Sequence, residues 1–147
     1  MPDDFQFEIP ADLTLGSQLC FAVHAASNLI SDLYRPLLAQ HDLTYAQYTA
    51  LMALTEEDGV SITHLASRLR VAKATMTPLL RRLEGKELVT RRMEDDNERR
   101  KSIKITEKGR NLLGKSCPAT DAVFRQTGLT PAQANELIGL CKIITGD

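Results

Sequence analysis

The sequence predicts a mainly α-helical chain with one small β-hairpin, a winged helix-turn-helix set between flanking helices. Three observations carry this. Two short amphipathic patterns, at 62–69 and around 76–83, are separated by Arg70, Val71 and Ala72, the spacing of a helix-turn-helix. Two basic, β-prone runs follow at 88–93 and 99–106, divided by the acidic turn Glu94-Asp95-Asp96-Asn97-Glu98, as in a β-hairpin. Fourteen of the 18 Lys and Arg residues fall in 68–110, so positive charge is concentrated on this same stretch.

In chain order, residues 2–12 carry two prolines and four acids and read as an irregular arm. From 13 to 40, Leu15, Leu19, Val23, Ala26, Ile30, Leu33 and Leu37 recur at helical spacing and predict one long helix. Thr44 and Gln47 form a capping box for a second helix, through Tyr48, Leu51 and Leu54, which stops before Asp58-Gly59. Ser61 caps the first helix of the pair, and the second runs through Met76, Leu79, Leu80 and Leu83 to about Gly85. After the hairpin, Thr106 caps a helix expected to reach about Phe124. Thr130, Pro131 and Gln133 start a last helix to about Ile144.

The chain has 147 residues, 43% hydrophobic and 25% charged, the size and composition of a single globular domain or one subunit of a small oligomer. Cys20, Cys117 and Cys141 fit neither paired disulfides nor a CxxC metal site. The acidic start, Met1-Pro2-Asp3-Asp4, precedes no apolar run, so no signal peptide or membrane span is expected, and the reading is a protein of the reducing cytoplasm. His24, His41 and His64 are scattered, which suggests neither a metal site nor a catalytic triad, and no cofactor is expected.

The net charge of −1 conceals a strong division. Residues 1–67 hold one base against nine acids, a net of −8, whereas 68–110 hold fourteen bases against seven acids, a net of +7. A basic block in an acidic chain is the footprint of a polyanion-binding region, since phosphates need local positive charge. In a winged helix, the second helix of the pair enters the major groove of double-stranded DNA. Lys73, Thr75, Met76 and Thr77 are then the candidates for base edges, and Arg81 and Arg82 for phosphate. At the hairpin tip, Arg99, with Asn97, Arg100 and Lys101 beside it, suits a narrow minor groove, whose negative potential attracts arginine.

The segments 71–84 (VAKATMTPLLRRLE), 88–92 (LVTRR), 96–100 (DNERR) and 105–109 (ITEKG) resemble the MarR family of dimeric repressors, over roughly residues 17–115. Where relatives often carry Asp two places before the wing arginine, this chain has Asn97. The resemblance implies a homodimer on a pseudo-palindromic operator, with 44–106 as the DNA-binding region and 13–43 and 107–147 as the helical dimerisation region. The segments 18–22 (QLCFA), 33–35 (LYR) and 43–48 (LTYAQY) narrow it to the organic-hydroperoxide-sensing branch. That branch oxidises a first-helix cysteine whose sulfur contacts two tyrosine hydroxyls, which here implies Cys20, Tyr34 and Tyr45.

Cys20 and Tyr34 are fourteen residues apart, nearly one helix face but about 21 Å along the axis. A tyrosine on the same straight helix therefore cannot touch the sulfur, whereas an antiparallel second copy can bring one there. Thiolate chemistry needs donors near sulfur, and an apolar wall of Leu19, Phe21 and Val23 favours alkyl or lipid peroxides. Some relatives resolve the sulfenic acid with a second cysteine after the wing, where this chain has Val123. A small thiol or over-oxidation is the favoured completion, with Cys117 as the alternative and Cys141 read as a core residue of the last helix.

Two rival readings remain: a regulator released by a small aromatic ligand in the dimer crevice, and a thiol peroxidase, which the basic block disfavours. Gly109, Gly114, Lys115 and Ser116 match a P-loop pattern letter by letter, but Pro118 follows two residues later and the 31 residues after Ser116 show helical pattern and no apolar strand.

Overall fold

Side-chain caps set four of the helix starts. In the computed structural model, which describes residues 8–93 and 101–147, α1 (Leu19–Ala39) is followed by α2 (Tyr45–Glu56). The Thr44 hydroxyl accepts from the Gln47 amide at 3.2 Å, and the Gln47 side chain accepts from the Thr44 amide at 3.2 Å. Ser61 caps α3 (Ile62–Arg68) through the His64 amide at 3.1 Å. After α4 (Lys73–Gly85), Thr106 caps α5 (Glu107–Ser116), and a Thr130–Gln133 box with Pro131 starts α7 (Pro131–Thr145). These donors are orphans at any helix start, and each cap satisfies one within the local sequence.

Three expectations are corrected. The first helix does not begin at Leu13. A 3-10 turn at Leu15–Ser17 precedes it, closed by the Ser17 hydroxyl donating to Thr14 O at 2.9 Å, so local side-chain bonding competes with the helix. The helix expected to run from Thr106 to Phe124 is broken into α5 and α6 (Pro118–Thr127). Pro118 has no N–H to give to the carbonyl of Gly114, which instead accepts from the Cys117 thiol at 3.2 Å. A third strand also joins the hairpin, β1 (Val60–Ser61), beside β2 (Val89–Met93) and β3 (Lys101–Ile105), in the antiparallel order β1-β3-β2. Val60 pairs with Ile103, and Val89 with Ile105.

The core lies where α1, α2, α3 and α4 meet the sheet, around Leu38, Tyr48, Leu51, Leu65, Met76, Leu80, Leu83 and Ile103. Gly109, in the ITEKG run, has a packing role. A Cβ there would stand 2.3 Å from the Leu88 carbonyl oxygen and 2.8 Å from Ile105 Cγ1, so only glycine lets α5 lie against the sheet. Gly109→Ala is therefore expected to destabilise by roughly 1–3 kcal/mol. Gly114→Ala, which meets nothing within 4 Å, is expected to gain about 0.5–1 kcal/mol. Thermal melts of both variants read the contrast, and equal melting temperatures would remove the packing explanation. The P-loop-like letters lie within and beside α5, with buried Ser116 bonded back to Leu113 O at 3.1 Å, so no phosphate loop forms.

Among the described residues, three charged ones have left-handed backbone, Asp42, Arg70 and Glu87, with φ of 53°, 54° and 61°. Each ends a helix in a Schellman arrangement, where glycine is usual. For Arg70, its own amide donates to Ser67 O at 3.1 Å and the Val71 amide to Ala66 O at 3.0 Å.

No residue of α7 is buried, and Leu137, Ile138, Leu140, Ile143 and Ile144 are exposed. Cys141 is half-buried, so the expectation of a core face for it fails within one chain. Leu19, Phe21, Val23 and Leu29 of α1 are likewise uncovered. Among the described residues, no helix is long and apolar enough to cross a membrane.

Candidate nucleic-acid interface

The second helix of the pair, α4, presents Lys73 and Thr75 in its first turn and Arg81 and Arg82 further along, all exposed. Thr77 is half-buried, and its hydroxyl donates to Lys73 O at 3.1 Å. Met76 is fully buried and is withdrawn from the interface. Its spacing to Leu80 and Leu83, i, i+4 and i+7, turns it inward with them, a signal already legible in the sequence. Asn97 and Arg99 at the wing tip, and Arg100, lie outside the described residues.

Ion pairs sort the basic block. Arg68 pairs with Glu56 at 2.5 Å, Arg91 with Glu84 at 2.5 Å, Lys108 with Glu87 at 3.3 Å and Arg110 with Asp58 at 3.5 Å. The Arg91–Glu84 pair ties the base of the wing to α4. Lys86, just after α4, reaches the carbonyl and carboxylate of Asp42 and the side chain of Gln47. Lys73, Arg81 and Arg82 of α4 have no ion-pair partner among the described residues, nor do Arg92 of β2 and Lys104 of β3, so the block's uncompensated charge lies on α4 and the wing strands.

A second constellation lies between α1, α2 and α6. Tyr34 is buried, Tyr48 fully so, and Tyr45 is 40% exposed. The Tyr34 ring is 4.7 Å from that of Tyr45 and 5.9 Å from that of Tyr48. Thr120 Oγ1 lies 2.7 Å from the Tyr48 hydroxyl and accepts from the Tyr34 hydroxyl at 3.3 Å. Burial, with the neighbouring Tyr34 and Tyr48, pushes the Tyr45 hydroxyl above its ordinary value. Burial does the same for Tyr48, against the opposing pull of the Thr120 hydrogen bond. Both are therefore phenols at neutral pH, able to donate. Cys20 is exposed at the start of α1 and is not brought to Tyr34 within the chain, because α1 is one continuous helix.

The geometry agrees with known proteins. The model of the MarR family matches residues 43–101. Over 125 residues, 85% of the chain, it is 45% identical to the HTH-type transcriptional regulator TtmR of Methylorubrum extorquens, spanning 64% of that longer protein. It is 33% identical to the HTH-type transcriptional regulator SarZ of Staphylococcus aureus, covering 84% of each chain. The chain belongs to the MarR family. Its fold is also that of CouR from Rhodococcus jostii RHA1 bound to p-coumaroyl-CoA, with TM-score 0.81 and 21% identity over 90% of this chain and 95% of that one. CouR bound to a 23-mer DNA duplex gives TM-score 0.82 and 22% identity, over 95% and 99%.

The protein is thus a MarR-type DNA-binding transcriptional regulator, with α4 as the second helix of its helix-turn-helix. In this MarR-family chain a crevice of about 730 Å³ borders that helix, lined by Arg35, Asp42, Thr44, Tyr45, Gln47, Arg82 and Lys86 among others. Arg35 is paired with Asp32 and Lys86 with Asp42 there, which leaves Arg82 as the base open to an anion. Sequence reasoning missed the part Tyr48 and Thr120 play in the tyrosine cluster. Tyr48 stands one turn from Tyr45, a signal that was available, whereas no local pattern announces a threonine 72 residues away.

Proposed function

We propose that this MarR-family regulator is a homodimeric repressor that leaves a pseudo-palindromic operator when organic hydroperoxide oxidises Cys20. Residues 44–106 read DNA, and 13–43 with 107–147 form the dimer. One observation carries the proposal: Tyr34 and Tyr45, on different helices, converge with rings 4.7 Å apart, while Cys20 stands exposed at the far end of α1 among uncovered apolar side chains. An antiparallel second α1 brings the sulfur of one copy to the tyrosines of the other and covers both apolar faces.

In the reaction, the Cys20 thiolate attacks the terminal peroxide oxygen. The S–O bond forms as the O–O bond breaks, and the departing alkoxide takes a proton to leave as the alcohol. Sulfur is oxidised by two electrons and the peroxide reduced by two. A small thiol then condenses with the sulfenic acid, giving a mixed disulfide and water. Tyr45 donates to the sulfur, Tyr34 does so by turning its one O–H away from Thr120, and the apolar wall admits the alkyl group.

Mass spectrometry after one equivalent of cumene hydroperoxide tests this. The expected product carries one added oxygen, or the mixed disulfide when a thiol is present, on the Cys20 peptide. First oxidation at Cys117, or none at Cys20, overturns it. A second reading rests on the basic crevice beside Arg82: release by an aromatic anion, in line with the p-coumaroyl-CoA of CouR. Release by hydroperoxide alone, with no ligand present, separates the two.

A further inference from the structure

Three of the left-handed helix ends among the described residues, at Asp42, Arg70 and Glu87, place a charged side chain where glycine is conformationally favoured. Asp42 and Glu87 turn theirs to Lys86 and Lys108, each at 3.3 Å, on or beside the winged helix. Arg70 reaches elsewhere. Its guanidinium donates to Thr145 O at 2.9 Å and to Asp147 Oδ1 at 2.8 Å, across 77 positions of sequence. The Asp147 carboxylate also accepts from the Thr145 hydroxyl at 2.8 Å, and the Asp147 amide closes the end of α7 on Lys142 O at 3.0 Å. The hydroxyl first, and Arg70 after it, hold that carboxyl below its ordinary range.

The guanidinium therefore sits on the carbonyl end of α7, where the helix dipole favours a cation. It also lies in the turn of the helix-turn-helix, with only Val71 and Ala72 between it and the first residue of α4. Among the described residues, no other side-chain hydrogen bond or ion pair joins α7 to α3 or α4, and no residue of α7 is buried against the chain.

We infer that Arg70 and Asp147 are positioning residues for DNA binding: their clamp fixes the helix-turn-helix, and with it the start of α4, against the end of α7. Affinity for the operator then depends on a contact that never touches DNA. The inference stands apart from Cys20 and from the basic crevice. The competing role for Arg70 is an ordinary phosphate contact, and the two predict different signs.

The test is operator affinity of the full chain by fluorescence anisotropy over a salt series, for wild type, Arg70→Gly, Asp147→Ala and the double variant. Arg70→Gly is expected to melt no lower than wild type, because its backbone suits glycine. Each single variant is expected to lose about two- to fivefold in affinity. The double variant should lose no more than Arg70→Gly alone, with the salt slope unchanged throughout. A phosphate contact would instead lower the slope by about 0.9 in Arg70→Gly, and removal of the acid in Asp147→Ala would tighten binding. Either of those results, or additive losses in the double variant, overturns the clamp. So does unchanged affinity in both single variants.

Discussion

Cys20→Ser is expected to bind operator as tightly as wild type and to stay bound when hydroperoxide is added. Serine keeps the size and polarity of the exposed position at the start of α1 and lies far along that helix from the α4 face, so neither fold nor DNA contacts change. It cannot form a sulfenic acid, so the switch is lost entirely rather than weakened. Tyr34→Phe and Tyr45→Phe are graded companions. Each removes only a hydroxyl, so operator affinity survives while oxidation slows. A hydrogen bond to a charged sulfur is worth about 1.5–3 kcal/mol, which corresponds to a slowing of roughly ten- to a hundredfold. Tyr34→Phe also gives up its 3.3 Å bond to Thr120, where the 2.7 Å bond from Tyr48 remains. Cys117→Ser and Cys141→Ser leave the first oxidation intact and alter only the resolution of the sulfenic acid. The readout is release from labelled operator during a hydroperoxide titration, with and without a small thiol. If Cys20→Ser is released as readily as wild type, Cys20 is not the sensor, and the ligand crevice beside Arg82 becomes the leading reading.

On α4, Lys73→Ala and Thr75→Ala are expected to cost about 1–3 kcal/mol each in operator binding while binding to random DNA falls much less. Both side chains are exposed in the first turn of α4, the part of a recognition helix that reaches base edges. Arg81→Ala and Arg82→Ala differ in kind. They are expected to weaken all sequences alike and to lower the salt slope by about 0.9 for each phosphate no longer neutralised. Met76→Ala supplies the contrast. Met76 is fully buried, so the variant loses about 2–5 kcal/mol of stability without a change in specificity. Competition binding with operator and scrambled duplexes across a salt series separates the classes. Equal losses on both duplexes for Lys73→Ala and Thr75→Ala would remove them from base recognition.

Much of this protein is dictated by short stretches of chain. The starts of α2, α3, α5 and α7 were legible because Thr44, Ser61, Thr106 and Thr130 cap amides within three residues of themselves. Apart from β1 and the break at Pro118, the order of elements was legible too, since apolar period and turn residues act over a few positions. The basic block at 68–110 announced a polyanion partner because charge is additive and needs no fold to be counted. Other features required the fold. The two residues of β1 are too few to show a period, and they become a strand only because β3 offers an unpaired edge. Which bases of the block remain uncompensated depends on acids such as Glu56, Glu84 and Asp58 that packing brings alongside. The tyrosine cluster needs α1, α2 and α6 to converge on Thr120, and the Arg70–Asp147 contact joins residues 77 apart. Local interactions are written in neighbouring residues. Contacts between distant segments are chosen by burial of the shared core, and no local pattern can specify which polar groups that burial sets side by side.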